Sequence, residues 1–96
     1  MVKVVVVNHV KAECVDDYLA VTKELVEKTN AFDSGCIKYE LCKDVNNPLR
    51  FIMLEEWESQ SSLDAHMKAK HCAELIPKLS NFRSPPPEMM LLEKMF

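Results

Sequence analysis

The chain opens with a segment that is apolar on nearly both faces, and nothing else in it restricts the fold as strongly. From Val2 to Val7, the residues Val2, Val4 and Val6 alternate with Lys3, Val5 and Val7. Branching at Cβ favours a pleated strand, and a strand greasy on both sides cannot be a solvated edge. Residues 2 to 8 are therefore predicted to run inside a sheet whose two faces both need cover.

The rest of the chain supplies the partners for that strand. Val15, Tyr18, Leu19, Thr22, Leu25, Val26, Thr29 and Phe32 recur at helical spacing with charged residues between them, which predicts an amphipathic helix over 15–32. Asp16 and Asp17 suit its positive end, and Asp33-Ser34-Gly35, with the only glycine of the chain, ends it. Residues 36 to 43 alternate Cys36, Lys38, Glu40 and Cys42 against Ile37, Tyr39 and Leu41, the period of a strand. Asp44-Val45-Asn46-Asn47-Pro48 supplies turn residues, and Arg50 to Trp57 completes a hairpin. Ser59 or Ser61 can cap a helix starting near residue 60 that carries Leu63, His66 and Met67. A second helical stretch holds Cys72, Leu75, Ile76 and Leu79, with Pro77 expected to end or kink it. After Ser84-Pro85-Pro86-Pro87, Met89 to Phe96 reads as a last strand.

The order β-α-β-β-α-β belongs to an α+β, ferredoxin-like sandwich with both helices on one face of an antiparallel sheet. The other face stays bare. Val2 to Val7, Phe51 to Leu54 and Met89 to Leu92 are apolar at consecutive positions, so a second copy is expected to cover it, giving a homodimer joined through the sheet face.

Composition removes several classes of function. The 96 residues are expected to form one domain over 1–96. Fifteen acidic and twelve basic side chains give a net charge of -3 with the basic ones scattered, so neither nucleic acid nor a membrane surface is an expected partner. No apolar run approaches the roughly 20 residues of a membrane span, and a cytoplasmic protein is expected. Cys14, Cys36, Cys42 and Cys72 form no CxxC pair and are expected to be reduced thiols.

Three polar clusters can carry chemistry: Asn8-His9, Glu55-Glu56-Trp57, and His66 with His71. Asn8 shares a strand face with Val4 and Val6; it either satisfies a loop or hydrogen-bonds a ligand oxygen from the rim of an apolar surface. His66 lies on the buried side of its helix, as a satisfied core imidazole or as a general base, since an ordinary pKa near 6.5 leaves it neutral in the cell. His71 falls about 140° further round an ideal helix, so the two could not share a metal ion unless the helix breaks between them. Glu55 lies on the same strand face as Trp57, either in a salt bridge or as an acid in apolar surroundings. Tyr39 reads as core packing with its hydroxyl at the edge.

The run Glu55-Glu56-Trp57-Glu58-Ser59, followed by Leu63, Ala65-His66 and then His71, resembles the E-x-W-E-S…L-x-A-H-x4-H pattern of the antibiotic biosynthesis monooxygenase family, quinol monooxygenases included. Together with the element order, the resemblance spans nearly the whole chain. It implies a dimeric α+β barrel that oxidises quinols or phenolic polyketides with molecular oxygen, without flavin or metal. It also implies catalytic roles for His66, Asn8 and His71, and substrate contacts from Trp57 and Glu55; Tyr39 is expected to join Asn8 in orienting the ring oxygens of the substrate. No cofactor and no metal are expected; the expected partners are a small-molecule substrate and oxygen. Lys70 departs from the pattern, where many members carry proline. Ile76 stands near the place of the ligand histidine in heme-degrading relatives, so the likeness does not extend to heme. Another branch isomerises a phosphorylated carbonyl signal and shares the H-x4-H spacing, which makes an isomerase the competing expectation, with a non-catalytic ligand-binding dimer as the third.

Overall fold

A computed structural model describes residues 1–96. Strand β1 spans Val2–His9, helix α1 Val15–Phe32, β2 Cys36–Lys43, β3 Arg50–Trp57, α2 Gln60–Met67, α3 Lys70–Leu79 and β4 Glu88–Glu93. The strands form one antiparallel sheet in the order β2-β3-β1-β4. The valine-rich strand lies inside it, as its two apolar faces require. The fold is the ferredoxin-like α+β arrangement expected from the element order.

Register decides which side chains meet the helices. Val4 pairs with Glu55 and Val6 with Met53, while Tyr39 on β2 faces Glu55 from the other side. Along β3 burial alternates strictly, with Phe51, Met53, Glu55 and Trp57 inside. Helix α1 closes this side with Tyr18, Thr22, Leu25 and Thr29. Its buried stripe is narrower than the sequence periodicity suggests: Leu19 is 39% and Phe32 73% exposed. Both lie outside the buried stripe of Tyr18, Thr22, Leu25 and Thr29.

Two turns fix what comes near what. Gly35 has φ of +80°, a left-handed conformation that side chains rarely adopt, and a Cβ there would lie 2.2 Å from the Ser62 hydroxyl. The α1–β2 turn can therefore press against α2, and Glu58 N–H donates to the Gly35 carbonyl at 2.9 Å. The N-terminus of α2 is capped by Ser59, whose hydroxyl accepts from the Ser62 N–H at 3.2 Å. At its other end Lys68 and Ala69 break the helix, Ala69 being extended, and α3 sets off in a new direction.

Two boundaries differ from expectation. Pro77 does not end α3, which runs to Leu79; only two residues follow the proline, so one backbone donor near a terminus is all that is lost. Strand β4 stops at Glu93 and not at Phe96, because β1 offers its last pairing partner to that residue at Val2.

The face away from the helices is apolar along its centre. Val5 stands between Leu54 and Met90, and Leu92 is the next β4 residue on this side, paired with Lys3. Met90 is 47% and Leu92 45% exposed, and no helix covers them. No helix of the chain is long and apolar enough to cross a membrane.

Candidate active site

Between the helical layer and the sheet lies a mostly apolar cavity of about 140 Å³. Apolar side chains such as Val6, Leu25, Met53 and Ile76 make most of its wall, and its polar lining is Asn8, Tyr18, Tyr39, Glu55, His66 and Arg83. Four of the residues singled out in the sequence, Asn8, Tyr39, Glu55 and His66, thus meet in one space. Trp57 and His71 stand outside the lining, each in contact with a residue that belongs to it.

His66 is held from two directions. Its Nδ1 lies 2.5 Å from Oδ2 of Asp33, the residue just past the end of α1. Its ring packs on the Trp57 indole, centroids 4.6 Å apart, and on Tyr39 at 5.1 Å. An ionised carboxylate only accepts hydrogen bonds, so Asp33 selects the tautomer with the proton on Nδ1. Asp33 lies outside the cavity lining, so Nε2 is the ring nitrogen without a carboxylate partner, with Cys72 Sγ 3.4 Å from it. Burial holds the His66 pKa below its ordinary value, and the Asp33 hydrogen bond and charge offset this only in part. At neutral pH the side chain is an uncharged base with an available lone pair, fixed in orientation.

The break between α2 and α3 brings His71 to the same carboxylate. His71 Nε2 lies 3.0 Å from Asp33 Oδ2, so both imidazoles donate to one oxygen. The obstacle of 140° on a continuous helix is removed by Ala69. Cys72 Sγ is 3.4 Å from both ring nitrogens of His66, a contact with the ring between them. Its thiol is pushed up to about 12, by burial first and then by the charges of Asp33 and Glu55, so it is not a nucleophile at neutral pH. The donor atoms of Asp33, His66, His71 and Cys72 all lie within 4.8 Å of one another. Donors around a tetrahedral zinc ion stand roughly 3.3 Å apart. Both histidines sit within hydrogen-bond distance of one Asp33 oxygen, and the four donors are of the types that could hold a metal ion.

Glu55 makes no salt bridge. That role falls to its neighbour Glu56, which meets Lys3 at 3.5 Å and Lys38 at 3.6 Å on the opposite face. Glu55 Oε1 instead accepts the Trp57 indole N–H at 3.0 Å. Burial raises its pKa to about 7, and the indole bond opposes this. The Tyr39 phenol is raised by burial and then by the Glu55 charge, so it stays protonated and can donate.

Asp33, Tyr18 and Arg83 were not candidates from sequence. Asp33 reads as a helix terminator, Tyr18 as one more residue of the buried stripe, and Arg83 as a lone cation before a proline run. Only the tertiary fold brings them to the others.

The model of the family described as "Antibiotic biosynthesis monooxygenase" matches residues 1–78. A conserved protein from Methanosarcina mazei Go1 has a similar structure, with a TM-score of 0.95 at 35% identity over 98% of this chain and 92% of its own. A solved antibiotic biosynthesis monooxygenase gives 0.92 at 30% identity, covering 99% of each chain. A Mycobacterium tuberculosis protein, at 18% identity and a TM-score of 0.92 over 99% of this chain and 95% of that one, is a likeness of fold alone. No curated protein matches.

The raised pKa of Glu55 makes stability depend on pH in a defined direction. Below the unfolded value of 4.5 the carboxyl is neutral in both states, and as pH climbs to about 7 ionisation favours the unfolded chain. Glu55→Gln is thus expected to gain on the order of 3 kcal/mol over wild type between pH 4 and pH 8. Urea unfolding at the two pH values reads the difference; an equal effect of the substitution at both would contradict it.

Proposed function

The chain belongs to the antibiotic biosynthesis monooxygenase family, which gives it a monooxygenase-like role, and from that premise we propose that it oxidises a quinol or an enolisable aromatic compound with molecular oxygen. The observation that supports this reading is His66, which lines an apolar cavity and has its Nδ1 anchored on Asp33 at 2.5 Å. His66 Nε2 takes a proton from the hydroxyl or the activated carbon of the substrate. The resulting anion is electron-rich and itself reduces oxygen. For a methylene centre, one oxygen atom ends as the new carbonyl and the other leaves in water with the two hydrogens of that carbon. The substrate supplies all the electrons, so the scheme calls on no redox cofactor.

The protein contributes position and electrostatics. A mostly apolar wall strengthens the polar contacts inside it, and the donors Tyr39 and Asn8 can steady oxygens on which charge develops. Asp33 acts through His66, fixing its tautomer and stabilising the imidazolium that forms. The same base would also serve a keto–enol isomerisation, as in the competing reading; an isomerase keeps turning over under argon, whereas a monooxygenase stops.

Oxygen uptake with a panel of small hydroquinones tests the proposal. His66→Ala is expected to lose about 10²- to 10⁴-fold in kcat/KM, and Asp33→Asn at least about tenfold. In the wild type, the rise of kcat/KM that reports His66 should be centred below the ordinary histidine value of 6.5, because burial lowers its pKa. Uptake no faster in the wild type than in folded His66→Ala would overturn the reading.

The partner we propose for the bare sheet face is a second copy of the chain. Val5, Leu54, Met90 and Leu92 from each copy are half-exposed or less, and covering each contributes on the order of 1 kcal/mol. The protein should sediment at twice 11.0 kDa, and Met90→Glu with Leu92→Glu should sediment at 11.0 kDa. A wild-type monomer at micromolar concentration would contradict the dimer.

A further inference from the structure

One corner of the cavity is built only of hydrogen-bond donors, and it includes a positive charge that no acid balances. Arg83 is half-buried and lines the cavity. Its Nη1 donates to Asn8 Oδ1 at 2.9 Å. Arg83 takes part in none of the ion pairs of the chain, and the one ionisable group that acts on its charge is the Tyr18 phenol. A guanidinium drawn out of water without a partner is costly, and the cost falls when a negative group meets it.

The neighbours of Arg83 point the same way. Asn8 is 3% exposed and its oxygen is engaged, so the group it has left to offer the cavity is its NH2. Tyr18 is fully buried and lines the same cavity; its hydroxyl stands beside the Thr22 and Asn8 side chains and makes no well-formed hydrogen bond. Buried hydroxyls are nearly always paired, so this one can give its proton to an acceptor placed against Arg83 and Asn8. Arg83 is itself held in place. Its backbone bridges Val10, and the residues on either side bond to β1 and its end, Lys11 N–H to the Phe82 carbonyl at 2.8 Å and Ser84 N–H to the His9 carbonyl at 3.0 Å.

Size limits what can sit there. A cavity of about 150 Å³ takes up benzene in another protein, and this one measures about 140 Å³. We infer that Arg83, Asn8 and Tyr18 form an oxyanion subsite, and that the substrate is a single ring bearing a carboxylate or ionised oxygen held against Arg83. The inference rests on the base and cavity proposed above and adds the charge and size of what they act on. Of the three, Asn8 and Tyr18 fall within residues 1–78, the span matched by the family model, and Arg83, which brings the charge, lies beyond it.

Calorimetric titration at pH 7.5 with 4-hydroxybenzoate and 4-hydroxybenzamide, equal in size and different in charge, tests it. Wild type should bind the anion at least about tenfold more tightly than the amide. Arg83→Gln should reduce that preference below about threefold while leaving amide binding within about threefold. Tyr18→Phe removes a hydroxyl that makes no well-formed bond in the free protein, and should weaken only the anion, by about two- to tenfold. Equal affinities in wild type, or a preference that persists in folded Arg83→Gln, would overturn the subsite. Should Arg83→Gln not fold, the wild-type comparison and Arg83→Lys decide, the latter expected to keep part of the preference. If both probes bind equally while His66-dependent oxygen uptake persists with neutral quinols, the subsite alone falls. If neither probe binds at about 10 mM, a strength that even a few contacts to one ring should exceed, the single-ring subsite fails, and His66-dependent oxygen uptake decides the functional reading separately.

Discussion

The contact between Asp33 and His66 joins the parts of this structure that matter for chemistry. It ties the residue after α1 to the last turn of α2, 33 residues further along the chain, where His66 is only 2% exposed. Without the carboxylate, a buried imidazole could take either tautomer and several orientations. With it, one nitrogen is committed to Asp33 and the other has no carboxylate partner. Gly35 makes the contact geometrically available, because only a residue without Cβ lets the turn after Asp33 approach Ser62 so closely.

Around that contact the surroundings set protonation states that fit one another. Burial pushes His66 toward neutrality and Glu55 toward its protonated form, while Tyr39 and Cys72 keep their protons. The interior thus holds one good base among weak acids and apolar walls. Trp57 takes part without lining the cavity: its ring backs His66, and its N–H occupies Glu55. His71 shares the Asp33 oxygen and so bears on the base through the carboxylate. A ligand entering this space would meet the His66 edge and the donors of Arg83, Asn8 and Tyr18 as separate features of one wall.

The fold was largely legible in the sequence because its signals are local. The valine alternation, the stripe of α1 and the turn at Asp44 each occupy a short window, and burial on β3 alternates as the residues do. Helix exposure was less legible, since Leu19 and Phe32 belong to the stripe by spacing and yet are exposed. Within the site, strand parity put Asn8 and Glu55 on the inner face, and helix spacing did the same for His66. Asp33 and Arg83 were invisible for the opposite reason: each sits in a loop whose path is set by packing, and neither has a local pattern that marks it. The meeting of His66 with His71 depended on a helix break at Ala69, and no glycine or proline there announces one.

The account stands on His66 being a neutral base with its proton on Nδ1, and nitrogen-15 NMR of histidine-labelled protein measures that directly. At pH 7 the His66 signals should show a protonated Nδ1 and an unprotonated Nε2, with titration below the ordinary histidine range. In Asp33→Asn, whose side chain no longer demands a donor, the two tautomers should mix. A His66 that is imidazolium at pH 7, or that carries its proton on Nε2, would contradict the account.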